Sequence, residues 1–408
     1  MTIAAHTLGC KLNFAETSDL LRRLSDEGNT IVPWGDRADL YIINTCTVTA
    51  VAEKKCRNAI RQAHRQNPDA QIVVMGCFAQ VAAAEIEKIP GVTQVLGNDS
   101  KRMLSYSGED RTRVFFKIQD GCDYFCTYCA IPFARGRSHS ASIEETLCMA
   151  RRIAATGAKE VILTGVNTGT FGLHQGESFL DLLRGLDAIE DIERYRISSI
   201  EPNLLTDDII DFVANSRAFL PHFHIPLQAG SDHVLQLMHR RYDTALYRSK
   251  LEYIKHVMPD ACIAADVMAG FNGENEEEFA KVLNYIDNLP ISYLHVFTYS
   301  DRPGTAALKL GEKIPVAVRR EHTARLLELS EKKHQEFITS QLGKRRPVLW
   351  ESTQHHSPLS TLHSPLMQGW TDNYIRVCQP YETMKTNTIE PVLLTETNVL
   401  RDRYEING

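Results

Sequence analysis

The feature that most constrains this chain is Gly121-Cys122-Asp123-Tyr124-Phe125-Cys126-Thr127-Tyr128-Cys129, which places three cysteines in one short polar and aromatic turn. Three thiolates at spacings of three and two intervening residues can hold three irons of a [4Fe-4S] cube. A fully ligated cube or a tetrahedral zinc site needs a fourth ligand that this stretch lacks. The arrangement therefore leaves one iron open for a further ligand, with a structural metal loop or an electron carrier as the plainer readings.

The CxxxCxxC run resembles that of the radical S-adenosylmethionine enzymes. In those proteins the open iron chelates the amine and carboxylate of the methionyl group, which implies the same for Cys122, Cys126 and Cys129.

The chain has 408 residues, 43% of them hydrophobic, enough for two or three domains with large cores. Ten cysteines without a secretory leader favour thiolates used as ligands in a reducing compartment, so a cytoplasmic location is expected. Met1 to His6 has no charged leader region, and no apolar run reaches the length of a membrane span, so no membrane partner is expected. A formal net charge of -6 weighs mildly against nonspecific nucleic-acid binding but says nothing about local patches.

The first hundred residues alternate strand and helix. Strands are expected at 3–8, 40–44, 71–75 and 92–96, and helices at about 15–27, 51–65 and 81–89. Such alternation points to a parallel sheet covered on both faces. Three further cysteines, Cys10, Cys46 and Cys77, each follow a strand, and the carboxyl ends of parallel strands gather ligands on one edge of a sheet. A second cube held by these three thiolates is the sharper reading, and three small buried hydrophobes the bland one. Cys56, inside the second helix, reads as a structural thiol. The same helix carries Lys54, Lys55, Arg57 and Arg61, a solvated face or a phosphate-contacting one.

Beyond a linker at 97–113, six strands alternate with helices at about 143–155, 179–189, 207–215, 244–256 and 276–288, ending near residue 298, too few for a closed eight-stranded barrel but enough for an open partial one. Ser142 with Glu145 has the spacing of a capping box. The unusual polar and glycine residues fall after the strands: Thr164, Gly165 and Asn167; Ser199 and Glu201; Gln228; Asp266. A long charged helix is expected after Pro315, and short strands at 347–351, 374–377 and 392–394 suggest a small all-β barrel. The stretch 353–365, rich in His, Ser and Pro, reads as an excursion between strands. The expected fold class is thus α/β, with domains at 1–100, 111–340 and 344–408.

CKLN at 10, NTCTV at 44, GCFAQ at 76, HIPLQAGSD at 224, ADVMAGFNGE at 265 and HVFTYSDRPGT at 295 together resemble the methylthiotransferases over essentially the whole chain. That resemblance implies an N-terminal domain with an auxiliary [4Fe-4S] cluster on Cys10, Cys46 and Cys77. It also implies a central partial barrel with the radical cluster on Cys122, Cys126 and Cys129, and a C-terminal TRAM domain that binds RNA. S-adenosylmethionine would meet Thr164, Gly165, Asn167, Ser199, Glu201, Gln228 and Asp266, although the usual two glycines and glutamate after the second strand are absent. Asn272 and Thr298 stand where the family shows proline.

Lys11-Leu12 resembles the branch acting on threonylcarbamoyladenosine at position 37 of tRNA. The branches acting on isopentenyladenosine-37 or on a ribosomal-protein aspartate carry other residues there. The implied reaction puts a methylthio group on C2 of the adenine, with a radical removing the C2 hydrogen because that carbon offers no route to acid–base catalysis. The implied partners are the tRNA anticodon arm and an electron donor such as flavodoxin or ferredoxin. Lys54, Lys55, Arg57, Arg61, Arg240, Arg241 and Arg376 are the candidate RNA contacts. A non-enzymatic iron–sulfur RNA-binding protein is the remote alternative.

Overall fold

The computed structural model describes residues 1–108, 112–355 and 366–401. Its first unit is a five-stranded, wholly parallel sheet built from Thr2–Thr7, Thr30–Val32, Leu40–Thr45, Gln71–Gly76 and Gln94–Leu96. Leu40–Thr45 lies at its centre, between Thr2–Thr7 and Gln71–Gly76. The strand Thr30–Val32 departs from expectation. It is a three-residue edge strand beside Thr2–Thr7, partly exposed and too short for any periodicity to register. The expected helix at 81–89 is instead two short pieces, Cys77–Val81 and Ala83–Ile86, broken at Ala82. The helix Ala50–Gln66 matches its expected position, with Thr49 capping it through its side chain, whereas Lys11–Asp26 starts four residues before the expected 15, directly after Cys10.

The second unit contains six parallel strands, Arg113–Lys117, Glu160–Thr164, Arg194–Ile197, His222–His224, Cys262–Ala269 and Tyr293–Thr298. They form two groups of three, joined by the parallel bridge of Ser199 with His224. The helices Ile143–Ala154, Phe179–Asp187, Asp207–Asn215, Thr244–Val257 and Glu276–Asp287 fall within two residues of expectation. Ser142 and Glu145 make the reciprocal capping box. One continuous core runs under all six strands, including Phe116, Leu163, Tyr195, Phe223, Val267 and Leu294. The linker is more ordered than expected: Ser105–Tyr106 adds an antiparallel strand beside Arg113–Lys117.

The helix Val316–Gln341 then leads to an antiparallel sheet of Arg345–His355, Leu366–Thr371, Arg376–Pro380 and Ile389–Leu393. Its second strand has no counterpart in the sequence pattern because it emerges from the His-, Ser- and Pro-rich stretch, of which 356–365 lie outside the described residues. Tyr374 and Ile375 belong to the turn before the third strand. The sheet is docked on the barrel by buried arginines. Arg194 donates to the carbonyls of Pro347 and Trp370, and Arg196 to those of Thr371 and Asp372. Glu160 neutralises Arg196 at 2.7 Å. Among the described residues no helix is long and apolar enough to cross a membrane.

Candidate metal and cofactor sites

In the first unit, three strands deliver three cysteines to one sheet edge. Cys10 caps the helix Lys11–Asp26, Cys46 follows Leu40–Thr45, and Cys77 opens the helix Cys77–Val81. Glycine makes two of these turns possible. Gly9 (φ +102°) and Gly76 (φ +101°) are left-handed, and a Cβ on Gly9 would stand 2.8 Å from the Cβ of Cys46. Cys46 is close enough to Cys10 and Cys77 for each to disfavour its ionisation, though burial is the larger effect, and its thiol is pushed up to about 12. Cys56, wholly buried, accepts the backbone N–H of Cys46 at 3.4 Å, a structural part that suits its place inside the helix.

In the second unit, Gly121 (φ +68°) turns the chain into the loop. The Cys122 amide donates to Gly136 O at 3.1 Å, the Cys129 amide to Cys126 O at 3.0 Å, and the Ile131 amide to Cys129 Sγ at 3.4 Å. Burial raises the thiols, Cys122 to about 11 and Cys129 to about 12, with the neighbouring sulfurs adding to it. Burial alone keeps such thiols protonated, so a bound cation is what would make thiolates of them.

Each trio also has an arginine on one sulfur. Arg240 Nη1 donates to Cys126 Sγ at 3.1 Å, and Arg135 Nε to Cys77 Sγ at 3.2 Å. The first of these corrects an expectation: Arg240, with its side chain only 3% exposed, is paired with Glu201 and is not an outward RNA contact. The same pairing takes up Glu201, whose carboxyl is raised by burial despite the arginine. Arg57 is likewise engaged, by Glu85 at 2.7 Å and by Glu53, and lies over the Phe78 ring. Lys54, Lys55 and Arg61 are exposed on the helix Ala50–Gln66. Arg241 is exposed, donates to Asp123 O at 2.8 Å and covers the Tyr124 ring. Arg376 is half-buried on the third strand of the C-terminal sheet.

The expected cofactor residues share the barrel rim. Thr164 ends the second strand, and Gly165 approaches Gln119 so closely that a Cβ would meet Gln119 Oε1 at 2.8 Å. The Asn167 amide donates to that same oxygen at 2.8 Å. The hydroxyl of Thr164 and both side-chain polar atoms of Asn167 are buried without a hydrogen-bond partner, which is costly unless a ligand completes them. Ser199 bridges to His224 and receives Thr168 Oγ1 on its carbonyl at 2.9 Å. Gln228 holds φ +64° while its amide donates to Asp266 O at 2.7 Å. The residues present therefore fit a polar cofactor held along the ends of strands two to five.

One cluster has no precursor in the sequence pattern. His224, Asp266 and His295, from the last three barrel strands, present polar atoms within 4.8 Å of one another, and His224 Nε2 lies 2.7 Å from Asp266 Oδ1. Burial alone would raise the Asp266 carboxyl, but His224 outweighs it and holds the carboxyl below its usual range. Burial lowers His295 to about 4. Lys11 also contributes to the field at Asp266 and His295, and its ammonium lies 5.9 Å from the Phe115 ring on the first barrel strand. Nothing in the spacing of these residues links them, because three separate strands of the barrel bring them together. Phe125 and Phe133, both exposed, pack edge to face beside the cysteine loop.

Comparison with known proteins agrees with this division. Residues 2–97 match the Uncharacterized protein family UPF0004 and residues 116–286 the Radical SAM superfamily. The chain is 38% identical to a Bacillus subtilis protein named threonylcarbamoyladenosine tRNA methylthiotransferase MtaB, over 92% of this chain and 90% of that one. It is 37% identical to the Aquifex aeolicus protein of the same name, with 86% and 92% covered. A Nitratidesulfovibrio vulgaris protein named tRNA-2-methylthio-N(6)-dimethylallyladenosine synthase is 32% identical, with 86% of each chain covered. Among solved structures, the radical S-adenosylmethionine methyltransferase TsrM from Kitasatospora setae shares the fold at a TM-score of 0.52 and 13% identity, covering 73% of this chain and 74% of that one.

Proposed function

The chain belongs to the radical S-adenosylmethionine tRNA methylthiotransferases, enzymes that use S-adenosylmethionine and [4Fe-4S] clusters. From that premise we propose that it places a methylthio group on C2 of N6-threonylcarbamoyladenosine at position 37 of tRNA. We assign Cys122, Cys126 and Cys129 to the radical cluster, Cys10, Cys46 and Cys77 to the auxiliary one, and residues 344–408 to an RNA-positioning TRAM domain. When bound, the clusters and S-adenosylmethionine supply the one-electron and sulfur chemistry that an unactivated aromatic carbon requires.

The chain's own residues hold and orient. Thr164 and Asn167 offer orphaned polar atoms to the nucleotide cofactor, and Gly165 lets backbone approach it. The pair of Arg240 and Glu201 fixes the wall of the cysteine loop, while Asp266, braced by His224, presents an ionised acceptor inside the barrel. Phe125, Phe133 and Arg241 form a rim suited to an unstacked base, and Lys54, Lys55 and Arg61 a basic strip for phosphates. The anticodon arm, an electron donor of the flavodoxin or ferredoxin type and a cytoplasmic location belong to the same reading.

The observation that carries the substrate assignment is Lys11. Its ammonium forms no ion pair among the described residues, lies 5.9 Å from the Phe115 ring on the first barrel strand, and is within electrostatic reach of Asp266 and His295. A threonylcarbamoyl group ends in a carboxylate, which an unpaired cation at that place would receive; an isopentenyl group has nothing for it. The test is anaerobic turnover of the reconstituted protein on two anticodon stem-loops, one carrying each modified base, with products read by mass spectrometry. Methylthiolation of the threonylcarbamoyl stem-loop is expected; product from the isopentenyl stem-loop alone would overturn the assignment.

A further inference from the structure

The helix Ile131–Arg135 begins two residues after Cys129, and its last residue reaches into the other domain. Arg135 is 5% exposed. Its Nε donates to Cys77 Sγ at 3.2 Å, its Nη1 contacts Glu16 and Asp120 at 2.9 Å, and its Nη2 donates to Asn13 Oδ1. Lys117 pairs with the same two carboxylates at 2.8 and 2.7 Å, and Lys101 with Glu16. The network thus joins three cations to two carboxylates, with every charged side chain 7% exposed or less.

One positive charge is left over in a place where an unbalanced charge is expensive. The group facing that surplus is the sulfur of Cys77, which carries the missing negative charge when it ligates iron as a thiolate. Asn98 Nδ2 approaches the same sulfur at 3.7 Å while donating to Ala134 O, on the Arg135 helix. The surplus and both donors therefore converge on one ligand of one cluster, and the guanidinium comes from the loop that carries the other.

We propose that Arg135 is a positioning residue that ties the two metal centres together: it seats the Cys77 thiolate and raises the reduction potential of the auxiliary cluster. This rests on the assignment of Cys10, Cys46 and Cys77 as ligands. A donor on a cysteinyl sulfur withdraws electron density, and a nearby cation favours the added electron, so both effects act in the same direction.

The test uses the full-length chain with Cys122, Cys126 and Cys129 replaced by Ala, so that one cluster remains, reconstituted anaerobically and titrated with dithionite under electron paramagnetic resonance. About four irons per chain are expected in this parent; near-zero iron would refute the ligand assignment itself, separately from the role of Arg135. Arg135→Gln then leaves two carboxylates against two lysines, a balanced network. The expected result is retained iron, a midpoint potential shifted to more negative values and an altered resonance signal. Retained iron with potential and signal unmoved would overturn the proposal. Should Arg135→Gln hold no iron, Asn98→Ala decides: a smaller shift in the same direction supports the proposal, and no shift overturns it.

Discussion

Replacing Glu16 by Gln would strike the joint between the N-terminal sheet and the barrel. Glu16 faces Arg135, Lys117 and Lys101 with its side chain 2% exposed, and these attractions outweigh burial to hold its carboxyl far below the usual range. Gln keeps the shape and removes the charge, leaving three buried cations against Asp120 alone. Removing one partner of a buried ion pair costs about 3–5 kcal/mol, whereas an exposed pair is worth roughly 0–1 kcal/mol. The larger figure applies because water cannot reach the stranded cations.

Urea unfolding followed by hydrogen exchange on Lys11–Asp26 and Arg113–Lys117 would report the loss. The double variant Glu16→Gln with Lys101→Met, which restores the original surplus of one cation, should recover part of it. The pH dependence has a definite sign. A carboxyl whose folded value is lowered stabilises fully above its ordinary value of 4.5, and that stability is lost as pH falls below it. The gap between wild type and Glu16→Gln should therefore be widest near neutrality and close on acidification. A cost under about 1 kcal/mol, or a gap that widens in acid, would refute the buried-network account.

Three other expectations are more direct. Changing Cys10, Cys46 and Cys77 together to Ala should lower iron in the reconstituted protein from about eight to about four per chain, read by colorimetric iron assay; an unchanged count would remove them as ligands. Lys11→Met should raise KM for the threonylcarbamoyl stem-loop on the order of tenfold to a hundredfold, the range for losing a hydrogen bond to a charged group, with iron content unchanged and Lys11→Arg restoring much of it. Replacing Lys54, Lys55 and Arg61 by Ala should weaken stem-loop binding and reduce its salt slope by about 0.7–0.9 for each phosphate no longer neutralised, measured by fluorescence anisotropy across a salt series.

The parts of this molecule that are legible in sequence are those governed by local rules. Asp207–Asn215 is readable to the residue because Thr206 caps an amphipathic run, and the strand–cysteine order of the first domain follows from alternation alone. Thr30–Val32 escapes because an edge strand of three residues has no period to detect. His239-Arg240-Arg241 looks uniformly basic along the chain, yet Arg240 is buried on Glu201 and a cysteine sulfur while Arg241 remains exposed. Local sequence cannot separate these two arginines, because the difference lies in what a distant strand end brings to each. Arg135 and the His224, Asp266 and His295 cluster are hidden for the same reason: their partners lie on other strands or in the other domain.

Whether this chain methylthiolates threonylcarbamoyladenosine can be read from the nucleosides of cellular tRNA. Mass spectrometry of tRNA hydrolysates from cells with and without the gene should show the 2-methylthio form of threonylcarbamoyladenosine disappearing on deletion and returning with the intact gene, but not with a Cys122→Ala copy. Survival of that nucleoside in the deletion strain, with loss of 2-methylthio-isopentenyladenosine instead, would contradict the account.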